Sequence, residues 1–109
     1  MNSKYITLNA NDFEKAIADS SAIILDVRTA DEYSGGHIPN AINIDLSSPN
    51  FPDEAESRLP KYRTIAVYCK NGVRSQMAAT LLANRGYNII YLHGGISEWI
   101  KAGKEKTME

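Results

Sequence analysis

Three short runs of aliphatic, largely β-branched residues constrain the fold of this chain more than any other feature. They cover residues 22–27, 64–68 and 88–92, and they are apolar almost throughout instead of alternating with polar residues. Strands of this kind are covered on both faces, as in a parallel sheet. Two shorter runs, at Tyr5–Leu8 and 41–44, predict additional or edge strands. We therefore expect five strands.

Helical patterns fall between these strands. The predicted helices cover residues 10–18, a short stretch at 53–58, residues 75–85 and residues 96–102. Asn9 or Asn11 is suited to cap the first helix, and Gly86 stands where the third helix needs a left-handed ending. The alternation of strands and helices predicts an α/β fold, with a central, mostly parallel five-stranded sheet and crossover helices on both of its faces.

The length of 109 residues fits a single domain over residues 1–109. Its core is expected at about residues 5–103, and the last helix is expected to bury Ile96, Trp99 and Ile100. The polar residues 104–109 are predicted to form a frayed tail. We expect the domain to be a monomer.

The composition excludes several classes of function. A net charge of −1 gives no general attraction to nucleic acid or to an anionic membrane. No stretch approaches the about 20 apolar residues that span a bilayer, and the N-terminus lacks an apolar signal segment. We therefore expect a cytoplasmic protein.

The chain contains one cysteine, Cys69. One cysteine cannot form an internal disulfide or resolve a mixed disulfide as a Cys-x-x-Cys pair does. Together with His37 and His93, it also falls short of a four-ligand zinc site. We predict no metal.

Cys69 lies between the strand run 64–68 and a predicted helix. A lone cysteine at a strand end is most simply an inert core residue, but the loop that follows favours a reactive thiolate. Gly72 lets the backbone turn close to the sulfur, Lys70 and Arg74 add positive charge, and Ser75 is suited to cap the next helix.

The spacing in this loop discriminates among thiolate chemistries. Four residues separate Cys69 from Arg74. Cysteine phosphatases place one more residue between these two positions, so that the loop encloses a tetrahedral phosphate dianion. A tighter loop suits a smaller guest, such as one extra sulfur held on Cys69 as a persulfide.

Over residues from about 6 to 103, the chain resembles the rhodanese family of sulfurtransferases. The matching N-terminal segments are Asp26-Val27-Arg28, Glu32-Tyr33, Gly36-His37-Ile38-Pro39 and Ala41-Ile42-Asn43-Ile44. The matching active-site segments are Tyr68-Cys69-Lys70-Asn71-Gly72-Val73-Arg74-Ser75, Ala78-Ala79, Leu82, Gly86-Tyr87, Leu92, Gly94-Gly95 and Trp99. Their order and spacing together make the resemblance specific.

The resemblance implies a two-step reaction without a cofactor. Cys69 would take a sulfane sulfur from a small anionic donor such as thiosulfate and pass it to cyanide or a thiol. The cradle that holds this sulfur would be formed by Lys70, Asn71, Gly72, Val73, Arg74 and Ser75. Arg74 and Lys70 would attract the donor.

Other marked residues have simpler interpretations. Asp26 is expected to be a structural residue whose carboxylate accepts hydrogen bonds from loop backbone or from polar groups near the site. Arg28 is expected to form a structural ion pair, with Glu32 as a candidate partner. His37 is interpreted as a packed structural residue, and His93 as a candidate for the rim of the pocket.

Two alternatives remain open at the level of sequence. One is a persulfide carrier or regulatory binding module that a protein donor loads and a protein acceptor unloads. The other is a cysteine phosphatase or arsenate reductase, against which the short loop argues.

Overall fold

The computed structural model describes residues 5–19 and 21–109, and a five-stranded sheet forms its centre. The strands are β1 (Tyr5–Leu8), β2 (Ile23–Asp26), β3 (Ile42–Asn43), β4 (Ile65–Tyr68) and β5 (Ile89–Leu92). Their order across the sheet is β1-β5-β4-β2-β3, and every neighbouring pair is parallel. The predicted α/β fold is confirmed.

Helices cover both faces of the sheet. They are α1 (Ala10–Ile17), α2 (Ala30–Ser34), α3 (Phe51–Arg58), α4 (Val73–Ala83) and α5 (Gly95–Lys101). Successive residues of the central strand β4 point to opposite faces, so Val67 packs with residues of α3 and α4 while Tyr68 packs with residues of α1 and α5. All four residues of β4 are buried, which explains their unbroken apolar run.

Two predictions about the helices are wrong, one on where α4 begins and one on a buried residue of α5. Helix α4 begins at Val73 rather than at residue 75, and its N-cap is Gly72 in a left-handed conformation. Ser75 therefore lies inside the first turn and does not cap the helix. In α5, Ile96 and Trp99 are buried as predicted, whereas Ile100 is 45% exposed because it lies on the outer face.

Helix α2 was not predicted, although its start carries a recognisable pattern. Thr29 accepts the backbone N–H of Glu32, and the Glu32 carboxylate accepts the backbone N–H of Thr29. This reciprocal pair is a capping box, and it can be read in the sequence as Thr-x-x-Glu.

The polar C-terminal segment, residues 104–109, packs against the domain instead of forming the frayed tail that its composition predicts. Thr107 and His37 exchange two backbone hydrogen bonds of 2.8 Å each in an antiparallel bridge. The Trp99 indole N–H donates to the carbonyl of Glu105 at 2.6 Å, and Lys104 pairs with a carboxylate of α1. These contacts hold the segment against the domain.

Within the described part of the chain, no helix has the length and apolar character needed to cross a membrane.

Candidate active site

The thiol of Cys69 lies at the carboxyl end of β4, the central strand. Its Sγ accepts the backbone N–H of Gly72 at 3.1 Å and that of Ser75 at 3.2 Å. The first of these amides closes the loop and the second belongs to the first turn of α4, whose N-terminal N–H groups have no partner within the helix. The residue has no exposed surface. The sulfur is thus held in a buried nest of N–H donors, which favours negative charge.

The start of α5 holds the carbonyls of the same loop. The N–H of Ile96 donates to the carbonyl of Cys69 at 2.8 Å, and the N–H of Ser97 donates to that of Lys70 at 2.9 Å. Gly95 makes this contact feasible, because a Cβ on it would lie 2.5 Å from the carbonyl oxygens of Cys69 and Lys70. The N-termini of α4 and α5 therefore both hold the Cys69 loop. An N–H group of α4 binds the sulfur, and two N–H groups of α5 bind carbonyls of the loop.

Tyr91 on β5 holds the Cys69 loop through a hydrogen bond. Its hydroxyl donates to the carbonyl of Gly72 at 2.8 Å, and this carbonyl also accepts the N–H of Gln76. Burial raises the pKa of Tyr91, and the negative charge of Cys69 raises it further. Tyr91 therefore stays a neutral donor, and sequence reasoning assigned it no role beyond the strand.

Arg74 forms a bidentate ion pair with Glu32 of α2, with N–O distances of 2.7 and 2.9 Å. The hydrogen bonds from Arg74 lower the pKa of Glu32 to about 2, and the same bonds raise the pKa of Arg74. Arg74 is therefore a partly neutralised cation that ties α4 to α2. The expected ion pair between Arg28 and Glu32 does not form.

Arg28 pairs with Asp26 instead. Two nitrogens of its guanidinium contact the buried carboxylate, the shortest distance being 2.7 Å, and Asp26 also accepts the backbone N–H of Arg28. Arg28 further donates to the carbonyl of Gly36 at 2.7 Å. Asp26 thus accepts hydrogen bonds from Arg28 and orders the turn after β2.

The remaining predicted cradle residues face outward. Lys70, Asn71 and Val73 are exposed, and the N–H of Val73 points to the Asn71 side chain at 3.4 Å. Lys70 lines a cavity of about 320 Å³, together with Glu32 and Ile96. The six predicted cradle residues therefore adjoin Cys69, but only Gly72 and Ser75 among the described residues donate N–H groups to its sulfur.

The two histidines occupy different environments. His37 is buried, stacks on the ring of Tyr33 at 3.8 Å and bonds the carbonyl of the same residue, as expected for a structural residue. His93 is exposed and lines a separate cavity with Asn9 and Glu98, which no cradle residue reaches.

Fold and site together define a class: parallel α/β proteins that hold a cysteine thiol in a loop of N–H donors at the carboxyl edge of the sheet. Within this class, the model of the rhodanese-like domain matches residues 9–102. The chain belongs to the rhodanese-like domain family.

Several relatives share this domain. A rhodanese-related protein from Thermoplasma volcanium superposes with a TM-score of 0.85 at 35% identity, covering 96% of this chain and 100% of that one. A sulfurtransferase from Allochromatium vinosum is 31% identical over 88% of this chain and 89% of its own length. A tRNA uridine(34) hydroxylase from Hamiltonella defensa is 30% identical over 93% of this chain, but the match spans only 30% of that protein.

Proposed function

We propose that this protein is a sulfurtransferase that carries a sulfane sulfur as a persulfide on Cys69. One observation carries the proposal: two backbone N–H groups converge on Sγ, at 3.1 and 3.2 Å, in a loop with four residues between Cys69 and Arg74. Such donors stabilise an anionic sulfur before and after it gains a second sulfur atom.

The chemistry consists of two displacements. In the first, the Cys69 thiolate attacks the outer sulfur of a donor such as thiosulfate; a new S–S bond forms, the donor's S–S bond breaks, and sulfite leaves with the electron pair. In the second, cyanide or a thiolate attacks the outer sulfur of the persulfide, and the Cys69 thiolate leaves. Neither step needs a cofactor. Over the whole cycle, Cys69 returns to its starting oxidation state.

The burial of Cys69 indicates that side chains move before the thiolate attacks the donor. Because Cys69 has no exposed surface, the side chains around the loop must move before a donor can reach Sγ. Lys70, Asn71 and Val73 are exposed, so they can move without disrupting the core. The backbone of Gly72 is held at its carbonyl by Tyr91 and Gln76, and Ser75 lies in the first turn of α4, so we expect both N–H donors to stay in place.

Steady-state kinetics test the proposal. With thiosulfate and cyanide as substrates, thiocyanate should form with the parallel reciprocal plots of a ping-pong reaction. Cys69→Ser should abolish turnover while keeping the fold. Thiocyanate formation that persists in Cys69→Ser would refute the role of this residue.

A second candidate is a carrier loaded by another protein. The face of α4 beside the loop exposes two apolar side chains one turn apart, Val73 at 71% and Met77 at 60%. Exposed apolar residues beside a reactive group favour contact with a protein partner. Met77→Glu should then slow sulfur loading from a cysteine desulfurase and leave loading from thiosulfate unchanged; equal rates from the desulfurase would argue against the carrier.

A further inference from the structure

The C-terminal segment (residues 104–109) places a cation in a cavity next to the Cys69 loop. Lys70 of the loop lines this cavity, as do Ile96 and Ser97, whose N–H groups hold the loop carbonyls. Lys106 lines this cavity of about 320 Å³ together with Lys70. The segment is fixed on both sides of Lys106, by the indole hydrogen bond to Glu105 and by the backbone bridge from Thr107 to His37. Lys106 is therefore brought to the cavity by contacts that do not involve its own charge.

Gly36 makes room for the Lys106 side chain. Its φ of +141° lies in the region that favours glycine, and a Cβ on it would come within 3.2 Å of Lys106 Nζ and 3.4 Å of its Cδ. The stem of Lys106 thus runs across the Gly36 backbone. The family model matches residues 9–102, so Gly36 lies inside the matched segment and Lys106 four residues after it.

The other cations near the site already have carboxylate partners. Arg74 is bound by Glu32, and Arg28 by Asp26. Lys70 and Lys106, by contrast, form no ion pair or hydrogen bond through their side chains with any residue in 5–19 or 21–109. Two lysines that have no ion-pair partner among the described residues therefore line one cavity.

The charge balance of the cavity depends on Lys106. Three cations line it, Arg28, Lys70 and Lys106, and two carboxylates, Asp31 and Glu32. The lining has a net charge of +1 with Lys106 and none without it. The whole protein has a net charge of −1, so only a local site of this kind can attract an anion.

We propose that Lys106, together with Lys70, binds the sulfonate end of an anionic sulfur donor and makes the protein selective for such donors. This inference rests on the proposed sulfurtransferase function. Lys106 acts on binding of the donor and has no part in the bond exchange at Cys69. Replacing it should therefore change KM for the donor rather than kcat.

Kinetics with thiosulfate and cyanide at low ionic strength test this. Lys106→Gln should raise KM for thiosulfate about 3- to 10-fold with little change in kcat, and the difference should shrink as salt is added. Lys106→Arg should keep KM near that of the wild type. Lys101→Gln is the matched control, because Lys101 lies on the exposed side of α5 and lines the other cavity.

A second measurement separates this inference from the proposed function. We compare the rate of Cys69 modification by two reagents, neutral methyl methanethiosulfonate and anionic sulfonatoethyl methanethiosulfonate. Neither modification depends on sulfurtransferase activity. Lys106→Gln should lower the anionic-to-neutral rate ratio about 3-fold or more. An unchanged ratio and an unchanged KM overturn the role of Lys106; a lowered ratio without turnover in the wild type overturns only the sulfurtransferase function.

Discussion

The contact between α5 and the Cys69 loop makes Gly95→Ala a sharp test of how the site is built. The φ of Gly95 is +64°, and a Cβ there would lie 2.5 Å from backbone atoms of Cys69 and Lys70. A left-handed alanine costs about 1–2 kcal/mol. The overlap with backbone atoms, which cannot rotate away as a side chain does, adds about 1–3 kcal/mol of overpacking.

Gly86→Ala is the matched control. Gly86 also has a positive φ, +95°, but nothing lies within 4 Å of its Cβ position. It therefore carries the conformational cost without the overlap. The free energy of unfolding of Gly95→Ala should be lower than that of Gly86→Ala by about 1–3 kcal/mol.

Urea denaturation followed by the fluorescence of Trp99, which lies one turn further along α5, measures both variants. Gly95→Ala should also lose sulfur loading, because the N–H groups of Ile96 and Ser97 can no longer hold the loop carbonyls. If the two variants differ by less than about 0.5 kcal/mol and both load sulfur normally, the close approach of α5 to the loop is not what fixes the site.

Three further predictions concern the residues around the loop. Because the pKa of Glu32 is lowered from 4.5 to about 2, its ion pair with Arg74 stabilises the fold fully above about pH 4.5 and loses this effect as the pH falls through about 2. Glu32→Gln should therefore lower the free energy of unfolding by about 1 kcal/mol at pH 7, and denaturation curves should show this difference from the wild type vanishing on acidification. A difference of the same size at pH 2 contradicts the pairing. Asp26→Asn leaves the buried Arg28 without its carboxylate and should cost about 3 kcal/mol. Arg85→Gln, which removes the partly exposed ion pairs with Asp53 and Glu56, should cost about 1 kcal/mol or less; similar costs for both would show that the Asp26 pair is not buried in solution. Tyr91→Phe removes one hydrogen bond to the Gly72 carbonyl and should cost about 1 kcal/mol with slower thiocyanate formation; unaltered stability and rate would exclude a supporting role.

The architecture could be predicted because it depends on local patterns. The apolar runs of β2, β4 and β5 are long enough to mark buried strands, and their spacing leaves room for crossover helices. The Gly94-Gly95 pair stands at the start of the last helix, where glycine lets two backbone segments approach closely, and Gly95 does so against Cys69 and Lys70. Helix α2 could have been predicted from Thr29 and Glu32.

The pairing of charges could not be predicted in this way. Arg28 and Glu32 stand four residues apart, which suggests a helical ion pair, but Arg28 precedes α2 and turns back to Asp26. Glu32 instead pairs with Arg74, 42 positions away in sequence. Only the packing of α2 against the start of α4 brings these two residues together, and no local pattern encodes it.

The C-terminal segment shows the same limit. Its polar composition predicts a frayed tail, yet its main contacts are made by the backbone: the carbonyl of Glu105 and the N–H and carbonyl of Thr107. Backbone pairing of this kind leaves little trace in residue type. The role of Lys106 therefore depends on a contact that only the three-dimensional structure shows.

The most direct test of the persulfide on Cys69 is the mass of the intact protein after incubation with thiosulfate. The mass should rise by one sulfur atom, return to its starting value when cyanide is added, and not change in Cys69→Ser. No added sulfur in the wild type, or an equal addition in Cys69→Ser, would contradict the proposed function.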